Sequence, residues 1–400
     1  MAGKAAIVGG SVGGLFAAHA LRNIGWEIAV YERAEGDLAA RGAGLGTHQD
    51  LFEIMQRLGI AVDERTGIAV GSRVCLARSG DVLKEIPFQE RKSSWATIWR
   101  ALRRALPDDC FNQGKDFAAL ETGANGAVAH FADGTTVTAD LLVGADGNRS
   151  TVRERLLPQV QPRYCGYVAW RALIPENGAR LYDRYAFSMP DGGSAVSYPV
   201  PGRDGDIVPG RRSINFLWYH PASEAEVRDM STDETGHCHG MAIPPPLIRK
   251  DVVANLLREA ADQLPPQHLD LLRAEPQPFF QAIYDLECDR LAFGRAVLLG
   301  DAAFVARPHV GAGVTKAALD THGLADALRA HGDDIASALA SYERERLKIG
   351  KRMVARARRL GAFIEFHRSP DFKRPDTMQQ ADELLYEHGA DIRSVAEFWA

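Results

Sequence analysis

The chain opens on a run of four apolar residues, Ala5-Ala6-Ile7-Val8, followed by a glycine-rich turn and then by Leu15, Ala18 and Leu21 at helical spacing. That pattern predicts a buried strand feeding a helix that ends at Gly25. A second apolar run, Ile28-Ala29-Val30-Tyr31-Glu32, finishes on an acidic residue. The order strand, turn, helix, strand is a βαβ unit. From Arg73 to Ile86 two alternating runs flank Ser79-Gly80-Asp81, and Asn125-Gly126 and Asp133-Gly134 mark further hairpins before the apolar strand Asp140-Leu141-Leu142-Val143. Antiparallel ribbons are therefore expected to interrupt the parallel sheet.

From about Tyr164 to His220 the strand-like runs carry aromatic residues: Tyr167-Val168-Ala169-Trp170, Ser194 to Tyr198, and Ile214 to Tyr219. A second, mostly antiparallel sheet is expected there. After a polar, proline-rich interval from Ser231 to Pro246, buried-strand runs return at Ile283 to Leu286 and Ala296 to Leu299, and helices are expected to about Arg368. The tail from Ser369 to Ala400 is polar and mixed.

Composition narrows the partners. With 400 residues, 46% of them hydrophobic and 25% charged, the chain can bury a sizeable core without staples. A net charge of −5 provides no field to attract phosphate backbones or anionic lipid, so no nucleic-acid or membrane partner is expected. No apolar run approaches the roughly 20 residues that span a bilayer, and no signal-like segment precedes Ala5. The cysteines at 75, 110, 165, 238 and 288 form no CxxC pair, so no metal site is expected and a cytoplasmic, reduced protein is the default.

The candidate chemistry begins in the first turn. Gly9-Gly10-Ser11-Val12-Gly13-Gly14 fits GxGxxG at Gly9 and Gly14 and has Ser11 at the second glycine position. Gly9 permits the tight turn, Gly14 allows close packing, Ser11 is small enough for a phosphate to approach, and the helix N-terminus offers amides to a pyrophosphate. Glu32, followed by Arg33, stands where a carboxylate accepts hydrogen bonds from a ribose hydroxyl pair and repels a 2′-phosphate. This site therefore suits FAD or NAD, not NADP. The alternative is a glycine-rich turn with a solvated glutamate. Two further apolar strands deliver acidic residues at their C-terminal ends, where α/β sheets hold ligands: Leu142-Val143-Gly144-Ala145-Asp146-Gly147, running on to Arg153, and Val297-Leu298-Leu299-Gly300-Asp301.

A GxGxxG unit, a DG motif and a GD motif in this order resemble the single-component FAD-dependent aromatic hydroxylases. Gly166-Tyr167-Val168-Ala169-Trp170-Arg171, Tyr198-Pro199-Val200-Pro201-Gly202-Arg203 and Asn215 to Tyr219 resemble the substrate domain of 2,6-dihydroxypyridine 3-hydroxylase-like members. The resemblance implies an α/β fold, with a Rossmann-type FAD-binding domain interleaved with a mostly antiparallel substrate domain, plus C-terminal helices. The FAD domain would comprise residues 1–72, 98–160 and 281–330, the substrate domain 73–97 and 161–280, and the helical segment 331–400. It implies that Asp301 binds the ribityl chain, that Asp146, Gly147 and Arg153 shape the flavin and NAD(P)H side, and that Arg100 touches the phosphate or ribityl region. Pro308-His309-Val310-Gly311-Ala312-Gly313 matches the family's proline and glycine loop, after which a helix from Val314 would aim its amides at the flavin. Ala312 replaces the usual glutamine, so backbone amides are expected to make that contact.

By the same resemblance, NADH or NADPH reduces FAD, O2 is trapped as a C4a-hydroperoxide, and oxygen passes to an electron-rich hydroxylated ring, with C3 of 2,6-dihydroxypyridine the candidate position. Hydroxynicotinate, hydroxybenzoate, salicylate and urate stay open as rings. A base should deprotonate or polarise the ring hydroxyl. His220, His309 and His48 are the candidates, against a structural reading for each, with Tyr198 and Tyr219 as hydrogen-bond partners or simple core. The arginine-rich stretch Tyr342 to Arg359 is expected to be solvated or to face a homodimer partner. The rival readings are a halogenase- or reductase-like flavoenzyme and a non-catalytic binding protein on the same fold.

Overall fold

A computed structural model describes residues 3–41, 43–176, 183–190, 192–203 and 205–365, together with Asp382 and Leu385. The chain begins with β1 (Lys4–Val8), α1 (Val12–Asn23) and β2 (Glu27–Glu32), the βαβ unit expected from the apolar runs. It then leaves this sheet for β3 (Gly44–Gly46), α2 (Gln49–Arg57) and the hairpin β4 (Ile68–Leu76) and β5 (Val82–Ser94). After α3 (Trp95–Arg104) it returns with β6 (Phe111–Gln113), a meander of β7 (Phe117–Thr122), β8 (Ala127–Phe131) and β9 (Thr136–Ala139), then β10 (Leu141–Gly144) and α4 (Thr151–Leu156). The second excursion holds β11 (Arg163–Pro175), β12 (Arg184–Ser188), β13 (Ser194–Val200), β14 (Ser213–Pro221), α5 (Glu224–Met230), α6 (Lys250–Gln263), α7 (Pro266–Ala274) and β15 (Phe279–Glu287). The chain closes with β16 (Ala292–Phe293), β17 (Ala296–Leu298), β18 (Phe304–Val305), α8 (Gly313–His331) and α9 (Ile335–Glu365).

Two large sheets result. In the first, the order is β16-β17-β10-β1-β2-β6, and every pairing is parallel except β16 with β17. The second has the order β18-β15-β11-β14-β13-β12-β4-β5-β3 and is antiparallel save for β12 against β4. It starts at Gly44, earlier than the expected boundary at residue 73, because β3 and β4 already pair with β5. Strand alternation divides its long members cleanly. Val168, Trp170, Phe216 and Trp218 pack with Leu256 and Leu272 of α6 and α7, whereas Tyr167, Tyr198, Leu217 and Tyr219 cluster on the opposite face.

The last helix meets the solvated expectation only in part: Arg344, Arg352 and Arg359 are exposed, but other side chains of the same stretch turn inward. Tyr342 is buried and donates to the Leu298 carbonyl at 3.0 Å, Arg346 pairs with buried Asp320 at 2.6 Å, and Arg358 pairs with Asp285 at 3.0 Å. These side chains fasten α9 across both sheets, and a charge count along the sequence does not reveal that the partner carboxylates come from α8 and β15. Residues 369–400 of the expected tail lie outside the described residues except Asp382 and Leu385. Among the described residues no helix is long and apolar enough to cross a membrane.

Candidate active site

A single cavity of about 610 Å³ runs from the β1–α1 turn to the aromatic face of the second sheet. At one end Gly9 has φ +109°, and a Cβ on Gly14 would lie 1.8 Å from the Gly9 carbonyl oxygen. Only glycine permits this approach of helix to turn. The Trp99 indole Nε1 donates to the Gly10 carbonyl at 2.9 Å and holds the turn from the side. Ser11 at the N-cap of α1 makes no side-chain capping bond, which leaves the first-turn amides available to an anion in the cavity. Glu32 is buried, and its two oxygens accept from the Gly10 amide at 2.7 Å and the Ala34 amide at 2.8 Å. A carboxylate retains further lone pairs when so anchored, and these are what a ribose diol needs.

Midway along, β17 delivers Asp301 after Gly300, whose amide donates to Asp320 at 3.0 Å. Asp320 in turn is held by Arg346 and Lys316, so the turn that presents Asp301 is tied to α8 and α9. Asp301 is open to the cavity yet ringed by protein, and burial raises its carboxyl above the ordinary value against the pull of Lys316. Asp146 lines the same stretch, also raised by burial despite accepting from Ser150 Oγ and from the Val152 amide at 3.1 Å. The loop after β18 is clamped from behind: fully buried Arg307 donates from Nε and Nη2 to Asp285, the closest contact being 2.9 Å. Gly311, at φ +61°, turns the chain into α8, whose N-cap Ala312 supplies no side-chain cap. The amide end of α8 thus faces the cavity beside Gly46, which packs against Gly311.

The second sheet closes the far end with Lys92, Arg171, Tyr185, Tyr198, Tyr219 and Gln281. Burial pushes the Tyr185, Tyr198 and Tyr219 phenols well up, so they stay neutral donors across the physiological range. Lys92 is buried, its Nζ 2.7 Å from Glu90 and 4.0 Å from the Tyr185 ring centre.

Most of the sequence candidates meet here. Gly9, Ser11, Gly13, Glu32 and Arg33 line the cavity, as do Asp146, Gly147, Gly300 and Asp301, then Pro308, Gly311, Ala312, Gly313 and Val314, and finally Tyr198 and Tyr219. Gly14 lies just behind the turn. Five candidates are placed otherwise. His220 shares the helix-covered face of β14 with Trp218, one residue out of step with Tyr219, and pairs with Glu259 at 2.8 Å. Arg100 is not among the residues that line the cavity and donates to the Arg203 carbonyl at 2.8 Å. Arg153 is buried as a cross-link, donating to the Asn148 and Ala302 carbonyls at 2.7 and 3.2 Å. His309 lies behind its loop, Nε2 2.8 Å from the Tyr167 hydroxyl, and burial lowers it to about 3, too low for a base near neutrality. His48 is buried with Nδ1 3.1 Å from Thr315 Oγ1. Sequence reasoning missed Lys92, Arg171, Tyr185 and Gln281. Arg171 was legible, since it alternates with Trp170 on β11, but the cavity face of β12, and with it that of the β4–β5 hairpin, is set by the pairing of β12 with β4 across more than a hundred residues.

The arrangement fits FAD on its own evidence: two helix N-termini without side-chain caps, a glycine turn that a Cβ would close, and an anchored carboxylate at the ribose position. Comparison with known proteins agrees. A family model described as the FAD binding domain matches residues 3–164 and 241–357, and one described as FAD binding domain-like matches 164–285. The chain is 29% identical over 377 residues to 2,6-dihydroxypyridine 3-monooxygenase of Paenarthrobacter nicotinovorans, covering 90% of this chain and 93% of that one. It is 30% identical over 368 residues to 6-hydroxynicotinate 3-monooxygenase of Pseudomonas fluorescens, covering 86% and 87%. The solved structure of 2,6-dihydroxypyridine-3-hydroxylase from Arthrobacter nicotinovorans superposes with a TM-score of 0.84 at 26% identity, covering 94% of this chain and 98% of that one.

Proposed function

This chain belongs to the FAD-binding-domain family of FAD-dependent aromatic monooxygenases, and from that premise we propose that it hydroxylates a small hydroxylated N-heteroaromatic ring of the 2,6-dihydroxypyridine kind, at C3. The observation that carries the reading is one continuous cavity joining a dinucleotide turn to a wall of three neutral tyrosines and two cations. FAD, reduced by NAD(P)H, supplies the activation of O2. The protein supplies the rest. The α1 amides and Glu32 would hold the adenosine diphosphate portion, Asp301 would take the ribityl hydroxyls, and the α8 amides would favour negative charge on the reduced flavin. On the second sheet, Tyr185, Tyr198 and Tyr219 sandwich and hydrogen-bond a planar ring of modest size. Their apolar bodies, with Val196 and Leu217, keep water from the reacting carbon.

The relatives named for 2,6-dihydroxypyridine and 6-hydroxynicotinate share the hydroxylated pyridine, and this supports that ring over a simple phenol. The test is oxidation of NADH and of NADPH by the FAD-loaded protein with and without 2,6-dihydroxypyridine, with hydrogen peroxide measured in the same samples. Substrate-stimulated oxidation with little peroxide is expected. Stimulated oxidation that ends only in peroxide keeps the class and rejects the ring.

A further inference from the structure

Among the described residues, the side chains that the second sheet turns to the cavity include two cations, Lys92 and Arg171, and no acid. Arg73, Glu90 and Lys92 form one buried group on adjacent strands: Arg73 donates from Nε and Nη2 to the two oxygens of Glu90, each at 3.0 Å, and Lys92 Nζ lies 2.7 Å from the same carboxylate. Arg73 is 0% exposed and Lys92 1%. Of this group, Lys92 is the member that reaches the cavity. Arg171, from β11, reaches the same wall, and its buried Nε makes no hydrogen bond. Among the described residues, the other side chains the second sheet turns to this wall are tyrosines, aliphatic residues and Gln281, with no acid among them. A buried charge is expensive unless something pairs with it, so a positive wall of this kind is completed by an anionic ligand.

We propose that Lys92 contacts the substrate, its ammonium meeting the ionised oxygen of the hydroxylated ring, so that the ring is bound as its anion with Glu90 and Arg73 as positioning residues. This rests on the proposed ring hydroxylation and deepens it. The proton of the ring hydroxyl is lost to solvent as the anion binds, and the remaining charge raises electron density on the carbons ortho and para to that oxygen, where an electrophilic oxygen atom attacks. The groups facing Lys92 are Glu90 on its own strand, Arg73 on β4, Tyr185 on β12 and Tyr198 on β13, with Arg171 on β11 next to the tyrosines. Burial and Arg73 lower the ammonium while Glu90 raises it, to about 8, so Lys92 is charged at neutral pH and loses its charge as pH rises past that value.

The test uses 4-nitrophenol, whose phenolate and phenol absorb differently, added to FAD-loaded wild type, Lys92→Met and Lys92→Arg at a pH where the free ligand is mostly neutral. Flavin absorbance confirms that each variant is folded and loaded. Wild type is expected to bind the phenolate and Lys92→Met to bind at least about tenfold more weakly and without the phenolate band, with Lys92→Arg keeping it. No binding to wild type, binding of the neutral phenol, or an unchanged phenolate band in Lys92→Met overturns the inference. Should Lys92→Met fail to load FAD, the wild-type spectrum alone decides. Ring-stimulated NADH oxidation is measured on the same samples. Phenolate binding without that stimulation counts against the proposed reaction, whereas stimulation with neutral-phenol binding counts against Lys92.

Discussion

Mild acid should destabilise this protein through two histidines that it buries uncharged. His268 is 0% exposed, with Nδ1 2.8 Å from Ser188 Oγ and Nε2 3.2 Å from Ser197 Oγ, and His309 is 0% exposed against Tyr167. Burial lowers both to about 3. In the unfolded chain each imidazole takes up its proton near 6.5, while the folded one stays neutral, so below 6.5 the unfolded state binds more protons and stability falls with pH. At about 1.4 kcal/mol per unit, lowering the pH to about 5 costs roughly 2 kcal/mol for each histidine. Asp146 and Asp301, raised by burial, act in the opposite direction as they protonate, so the histidine share has to be isolated by substitution. Urea unfolding of wild type and His268→Gln at pH 7 and pH 5 does this, because glutamine can still bond the two serines. The variant is expected to lose about 2 kcal/mol less than wild type between the two pH values. Equal losses in both proteins would refute the reasoning.

Three other outcomes follow from the site. Gly14→Ala places a methyl 1.8 Å from the Gly9 carbonyl, and the protein is expected to purify without the yellow FAD absorbance that wild type shows. Tyr198→Phe removes a neutral donor from the ring wall; kcat/KM for the ring should fall about tenfold, with a larger share of NADH oxidation ending as peroxide. His220→Ala, on the helix-covered face, breaks only a partly exposed pair with Glu259; turnover within about twofold of wild type and stability within about 1 kcal/mol are expected by steady-state kinetics and urea unfolding.

The cofactor half of the site was legible because its signals are local. A Gly9–Gly14 turn after an apolar strand, an acid ending the next strand, and acids ending the strands at Asp146 and Asp301 all lie within a few residues of the structure they dictate. The substrate half is assembled from register, which sequence does not show. Tyr198 was recognisable as one residue of an alternating strand, but that it faces Lys92 depends on β12 joining β4 in parallel across a gap of more than a hundred residues. His220 was misplaced for the same reason: a strand exposes every second residue to each side, and the side of β14 that is covered by α6 and α7 becomes known only once those helices are placed. Arg100 was assigned by position within a motif, whereas α3 holds the turn through its neighbour Trp99.

The most direct test of the central claim is turnover of FAD-loaded protein with NADH, 2,6-dihydroxypyridine and ¹⁸O2, followed by mass spectrometry of the aromatic product. The account expects a hydroxylated ring carrying one labelled oxygen atom. An unaltered ring with labelled hydrogen peroxide, or a product whose new oxygen comes from water, would contradict it.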